Sequence, residues 1–176
     1  MPQQNRKQQL IEALSLAPHP EGGYYRETYR SEINVPIHEQ NEAFEGPRSL
    51  STGIYYMLGA GDFSAFHRIK SDEMWHFYDG CPILIHMIHP DGLYQEVTLG
   101  RDVVAGQLPQ FVVPARSWFA AEPELPSGPQ GDGLFALAGC TVAPGFDFED
   151  FELADTYMLK NAFPEHAELI ERFKRS

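Results

Sequence analysis

Basic residues are scarce in this chain: 13 lysines and arginines stand against 25 aspartates and glutamates, a formal charge of −12 over 176 residues. A field of that sign repels phosphate backbones, so a broad nucleic-acid footprint is excluded, while a local basic pocket is still allowed. Cysteine is nearly absent as well. Cys81 and Cys140 allow at most one disulfide, which does not make the densely stapled scaffold of a small secreted domain. No apolar run approaches the roughly 20 residues of a membrane-crossing helix. The N-terminal MPQQNRKQQLIEAL lacks the apolar stretch of a secretion signal, so the expectation is a cytoplasmic protein with no membrane partner. No internal repeat or shift in composition marks a second domain. With 43% hydrophobic and 22% charged residues, residues 1–176 read as one domain able to bury a substantial core.

What is present is a series of short β-type segments between turn residues. Leu10, Ile11 and Leu14 at helical spacing predict an N-terminal helix over about 5–16, stopped by Pro18 and Pro20 and followed by the loop Glu21-Gly22-Gly23. Strands are predicted at 24–29, 51–58, 64–70, 73–78, 83–89, 94–99, 111–113, 118–121 and 134–142. Many short strands at this spacing, punctuated by glycine, proline and aspartate, mark a β-sandwich or barrel with its core over about 22–146. Asn34 to Arg48 reads as a polar loop and Glu122 to Gly133 as an exposed one. The acidic run through Asp155 is expected to pack across the outside, its phenylalanines turned inward. A closing helix is predicted over about 164–174, with Pro164 in its first turn.

The chemistry is concentrated in GDFSAFHRIKSDEMWHFYDG, residues 61–80. Gly61, His67, Glu73 and Gly80 fall in the register of the first cupin motif, and the chain resembles that superfamily. The segments HPEGGYYRE (19–27), SDEMWHF (71–77) and GCTVAPGF (139–146) narrow the resemblance to a subfamily of small cupins catalogued as a domain of unknown function. The likeness runs from about Leu10 to Asp155. It implies an all-β, double-stranded β-helix (jelly-roll) barrel with short N- and C-terminal helices and a partly open mouth. It also implies a homodimer, and in shape a likeness to the nucleotide-sugar epimerase branch. Two of the usual metal ligands are missing: Ile69 stands where the second histidine belongs, and Phe119 where the last one does. His67 and Glu73 alone are too few donors for a transition-metal site, so no cofactor is expected beyond a weak or adventitious divalent metal. His76 or His86 would have to complete a site, although strand alternation turns His76 away from Glu73.

Alternation places His67, Ile69, Glu73, Trp75 and Phe77 on one face of two adjacent antiparallel strands, the barrel interior. His67 is the candidate base, its tautomer fixed by Glu73 or by Asp72, and the alternative is a histidine buried against Glu73 for structure alone. Tyr24 or Tyr55 is a candidate proton donor. Arg26 is a candidate anion holder, whereas Arg68 should point outward into an ion pair. Trp75 and Phe77 fill the core or stack on a sugar ring. His19 either fixes its loop or lines the pocket rim, and His38, His89 and His166 read as solvated. Cys140 reads as a small buried hydrophobe, and nothing near Cys81 lowers its thiol pKa.

Three functions remain open on this reading. One is a metal-independent epimerase or isomerase acting on an activated sugar or similar polar metabolite. Another is a metal-dependent cupin enzyme using His67 and Glu73. The third is a non-catalytic module for a small-molecule ligand such as a carbohydrate or nucleotide-sugar.

Overall fold

A computed structural model describes residues 5–36, 44–128 and 133–175; His38 and residues 129–132 of the expected exposed loop lie outside them. Asn5 opens helix α1 (Arg6–Ala13) by accepting from the Gln8 N–H at 2.9 Å, and Ser15, with φ of 53°, turns the chain out of it. The strands then follow in order: β1 (Ala17–Pro18), β2 (Tyr24–Arg30), β3 (Asn34–Val35), β4 (Arg48–Ser49) and β5 (Thr52–Gly59). β6 (Ser64–Arg68), β7 (Asp72–Gly80), β8 (Ile83–Ile88) and β9 (Tyr94–Leu99) come next. β10 (Gln110–Val113), β11 (Trp118–Pro123), β12 (Phe135–Ala143) and β13 (Glu152–Leu153) complete the set.

These strands make two antiparallel sheets. One has the order β1-β2-β5-β12-β7-β10, the other β13-β6-β11-β8-β9, and β3 and β4 pair by themselves. The sheets face each other across a core in which alternate residues of each strand meet. Tyr56, Leu58, Trp75, Ala138 and Cys140 come from the first sheet, and Ile83, Ile85, Met87 and Phe119 from the second. The expected jelly-roll architecture is the one observed.

The outer faces are covered too, which explains why β8 and β12 read as nearly continuous apolar runs rather than alternating ones. Leu10, Ile11 and Leu14 of α1 pack with Leu16 over Met57, Phe135 and Leu137. On the other side, α2 (Thr156–Ala162) and α3 (Ala167–Arg172) bring Leu159 and Ile170, with Phe173, onto Phe66, Ile88 and Trp118. Between the last barrel strand and residue 164 the sequence predicts no helix. α2 is only seven residues long with a single buried side chain, Leu159, so it carries no readable period. Residues 164–166 form a 3-10 turn rather than the first turn of α3.

Two further corrections bear on the site. His67 and Glu73 were expected on adjacent strands. β6 instead pairs with β11 and β13, and β7 with β12 and β10, because the Ile69–Ser71 corner carries the chain from one sheet to the other. Both side chains still point inward, now from opposite walls. The acidic segment after Gly145 does not lie wholly outside: Asp150 is buried, and the segment crosses one end of the barrel.

The helical cover makes a stability prediction. Phe173 is 2% exposed and packs edge-on against Phe63 and Phe66. Phe173→Ala should lower the unfolding free energy by about 3–5 kcal/mol in urea denaturation, whereas a loss below ~1 kcal/mol would mean that the C-terminal cover is not part of the cooperative fold.

Candidate functional site

The two sheets enclose a cavity of ≈ 260 Å³ whose floor is polar and whose walls are largely apolar. Glu21, His67, Glu73 and Cys140 are buried there, while Glu27, Arg30 and Phe148 reach solvent at the mouth. Ile54, Ile69, Val142 and Phe151 supply much of the wall.

The sequence reading missed the residue that organises the floor. Glu21 leaves the loop between β1 and β2 and enters the barrel, where its Oε2 lies 2.9 Å from His67 Nε2. Two glycines make this entry possible. Gly22 and Gly23 have φ of 118° and 71°, a conformation costly for other residues. A Cβ on Gly23 would sit 2.4 Å from the Met57 carbonyl, and one on Gly22 would sit 2.1 Å from that of Phe63. The Tyr56 hydroxyl donates to the Gly22 carbonyl at 2.6 Å, and the Ala65 N–H donates to the Glu21 carbonyl at 2.9 Å. The EGG triplet was the available signal, since two consecutive glycines after a carboxylate mark a backbone pressed against another strand.

The proton inventory of the floor follows from these bonds. His67 Nδ1 lies 2.8 Å from the Ala65 carbonyl. A carbonyl only accepts, so Nδ1 carries a proton. The Nε2 contact with Glu21 then needs a second proton, and the pair is an imidazolium held by a carboxylate. Burial alone would push His67 down, but the Glu21 charge and hydrogen bond raise its pKa above the ordinary value. Burial likewise works to raise Glu21, and His67 overcomes it, leaving that carboxyl below its ordinary range. His19 is neutral: burial lowers it. Its Nδ1 accepts from the Glu21 N–H at 3.2 Å, which puts its proton on Nε2.

Glu73 is the opposite case. It is 8% exposed, and no lysine or arginine pairs with it among the described residues. Burial raises its pKa, with the Glu21 charge adding to the effect and His67 and the Cys140 thiol opposing it, to about 7. The thiol is itself pushed up by burial and by Glu73.

The remaining candidates divide cleanly. Glu73 does not fix the His67 tautomer, and Asp72 is exposed, accepting from the Ala115 N–H. Tyr24 and Tyr55 lie on the outer face of the first sheet with the residues under α1. Arg26 is exposed there and donates to the Leu14 carbonyl. The strand phase is thus opposite to the expected one: Tyr25 and Glu27 line the cavity. Trp75 and Phe77 point inward but belong to the packed core. Arg68 points outward as expected, paired with Glu152 and lying over Trp118. His76 bonds Thr141 on the outer face, and His86 lies between Tyr94 and Glu122 on the other sheet. His89 and His166 are not simply solvated, for both make hydrogen bonds, to Ser117 and Gln95 and to the Gly92 carbonyl. Burial raises the Cys81 thiol.

The residues at this site match a known family over nearly the whole chain. Residues 8–154 match the Cupin_5 model, described as cupin superfamily (DUF985). The chain belongs to that family. The uncharacterized yeast protein YML079W (Saccharomyces cerevisiae) is 33% identical over 149 residues, 81% of this chain and 72% of its own. A solved structure of protein SO0799 from Shewanella oneidensis is 38% identical with a TM-score of 0.82, covering 98% of each chain. A hypothetical protein from Leishmania major is 32% identical with a TM-score of 0.85, covering 98% of this chain and 100% of that one.

The metal that the cupin fold suggests does not fit this donor set. Both His67 nitrogens are engaged within the protein. The strand position facing His67 is Phe119, whose ring centroid lies 4.1 Å from the imidazole. Among the described residues no group of three or more His, Cys, Asp or Glu is arranged to hold a metal ion. Among the same residues no helix is long and apolar enough to cross a membrane.

The floor makes a stability prediction whose sign can be worked out. A carboxyl whose folded pKa is raised destabilises the fold as pH climbs from its unfolded value, near 4.5, to its folded value of about 7. On the order of 3 kcal/mol is lost across that window and stays lost above it. His67 and Glu21 act oppositely: their pair contributes stability that falls away in acid as Glu21 protonates, and in base as His67 loses its proton. Glu73→Gln should therefore gain stability relative to wild type between pH 5 and pH 8 in urea denaturation. A difference that is flat with pH would show that Glu73 titrates as an ordinary carboxyl.

Proposed function

We propose that this cupin binds a small polar metabolite and moves a proton on it without a metal, in the manner of an epimerase or isomerase. The observation that carries the reading is Glu73, a buried carboxyl lining the cavity that no lysine or arginine pairs with among the described residues. A base whose pKa lies near the working pH transfers protons most effectively, and burial brings Glu73 there. His67, the base expected from the sequence, has no free lone pair. Its role is to supply fixed positive charge at the floor. In the proposed step the Glu73 carboxylate takes a proton from a carbon next to a carbonyl. The enolate oxygen is stabilised by the His19 Nε2–H and by the imidazolium field. Glu73 then returns the proton to the neighbouring carbon for isomerisation, with the hydroxyl proton passing to the enolate oxygen, or to the same carbon for epimerisation once the enolate has turned its opposite face to Glu73.

The size of the cavity supports a compact ligand. At ≈ 260 Å³ it falls below the roughly 300–1,000 Å³ of sites that enclose drug-sized molecules, so of a nucleotide-sugar only the sugar would enter. Arg30, the arginine at the mouth, is bound to Glu27 and to the Phe146 carbonyl, which leaves it poorly placed to take a diphosphate.

The test is solvent deuterium incorporation at pD near 7 into a panel of small aldoses, ketoses and 2-oxo acids, followed by mass spectrometry. Wild type should label at least one of them, and Glu73→Gln should label it at least 100-fold more slowly, the lower range for loss of a general base. Tight binding of a panel member with no labelling would leave a binding module in place of an enzyme.

A further inference from the structure

The cavity carries more negative charge than its own residues can neutralise, and we infer that its ligand bears an ammonium group. The inference deepens the function proposed above and uses the same cavity. Four carboxyl groups line it, from Glu21, Glu27, Glu73 and Asp147, against two cationic side chains, Arg30 and His67. Glu21 and His67 balance each other at 2.9 Å on the floor. At the mouth, Glu27 holds Arg30 through both carboxylate oxygens at 2.9 and 2.7 Å. Asp147 makes no ion pair among the described residues; it lies in the fields of Arg30 and Arg48, and Arg48 is already bound to Asp150 and Glu149. The surplus charge at the mouth belongs to Asp147.

The walls point the same way. Asp147 is flanked by Phe146 and Phe148, whose rings meet edge-to-face at 4.9 Å, and Phe151 lies edge-on to Phe148 at 5.9 Å. Tyr25 lines the cavity as well. The negative faces of such rings attract cations and offer nothing to a phosphate or carboxylate. Phe148 is 50% exposed, an apolar cost at the mouth that a ligand would relieve. Glu73 supplies the independent sign that a ligand belongs here, being 8% exposed and aimed into the cavity with no salt-bridge partner among the described residues. The overall charge of −12 adds a long-range field that draws cations in. The ammonium is assigned to the mouth, against Asp147 and the aromatic wall, which leaves the carbonyl end of the ligand for the floor and Glu73.

Isothermal titration with probes matched in size but not in charge tests this. Aminoacetone is compared with hydroxyacetone, and D-glucosamine with D-glucose, on wild type and on Asp147→Asn, which keeps the cap that Asp147 provides to the Glu149 N–H. The ammonium member of a pair should bind about five- to ten-fold more tightly, as expected for a charge pair with aromatic support. Asp147→Asn should abolish that preference, and added salt should weaken it. Equal affinities, a preference for the neutral probe, no binding of either ammonium probe, or an unchanged preference in Asp147→Asn would each overturn the inference. Deuterium labelling of the same probes separates it from the function above. Preference without labelling supports the ammonium and removes the proton-transfer reading, and labelling without preference does the reverse.

Discussion

The buried contact between Glu21 and His67 is the constraint around which the rest of the barrel interior is arranged. Removing two charges from water costs several kcal/mol for each ion, and the 2.9 Å separation offsets that only because each partner is satisfied elsewhere. The Ala65 carbonyl takes the second imidazole proton, and the loop that carries Glu21 is bonded to β6 and capped by Tyr56. The loop has to lie against two neighbouring backbones to deliver the carboxylate, and only glycine fits at positions 22 and 23. The motif at residues 19–27 is therefore a delivery device for one side chain, and its conformational cost is repaid at the floor of the cavity.

The same contact makes the motif histidine of this cupin barrel a poor metal ligand. A metal ligand needs a neutral imidazole with a lone pair aimed at the ion. Here Nε2 is occupied by the proton that binds Glu21, and Ile69 and Phe119 bring apolar surface where further donors would be needed. Those substitutions turn the floor from a lone-pair cluster into a fixed positive charge between two carboxyl groups. The segment over the mouth is held on the same scaffold by two arginines. Arg48 grips Asp150 through two nitrogens at 2.7 and 2.8 Å, and Arg30 binds the Phe146 carbonyl. The aromatic wall is thereby tied to β2 and β4 and belongs to the barrel rather than to a loose loop.

Much of the fold was legible from the chain because β-strands, turns and terminal helices write themselves locally. Tyr94–Leu99 was read to the residue, and most other strands to within one or two. Sheet partnership was not, since the Ile69–Ser71 corner sends two consecutive strands to opposite sheets while preserving the inward face of both. Strand phase failed at β2. Tyr24 and Arg26 look like pocket residues beside a glycine loop, yet the outer face of that sheet is itself buried under α1, so aromatic content no longer tells inside from outside. His67 and Glu73 were found by spacing. Glu21 was not, because its contact with His67 spans 46 positions and depends on a left-handed loop conformation that the letters suggest without giving its direction. The aromatic wall after Gly145 was half legible: Phe151 was read as inward and is, whereas Phe148 is half exposed and Asp150, read as solvated, is a buried partner of Arg48.

Two carboxyl groups of nearly equal burial behave oppositely in this cavity, and that difference is the strongest physical argument about its chemistry. Glu21 is 5% exposed and Glu73 8%, so desolvation raises both. What separates them is the single imidazolium, which is committed to Glu21 by contact and reaches Glu73 only through its field. Environments that push a pair of titratable groups apart define which one stays ionised and which one exchanges its proton. Here the ionised member is sealed in an ion pair, and the exchangeable one faces the empty space. A purely structural barrel would gain by replacing Glu73 with an apolar side chain that fills the cavity. Keeping a buried carboxyl with no ion-pair partner among the described residues has a standing cost in stability above its pKa, and the proposed function would account for that cost.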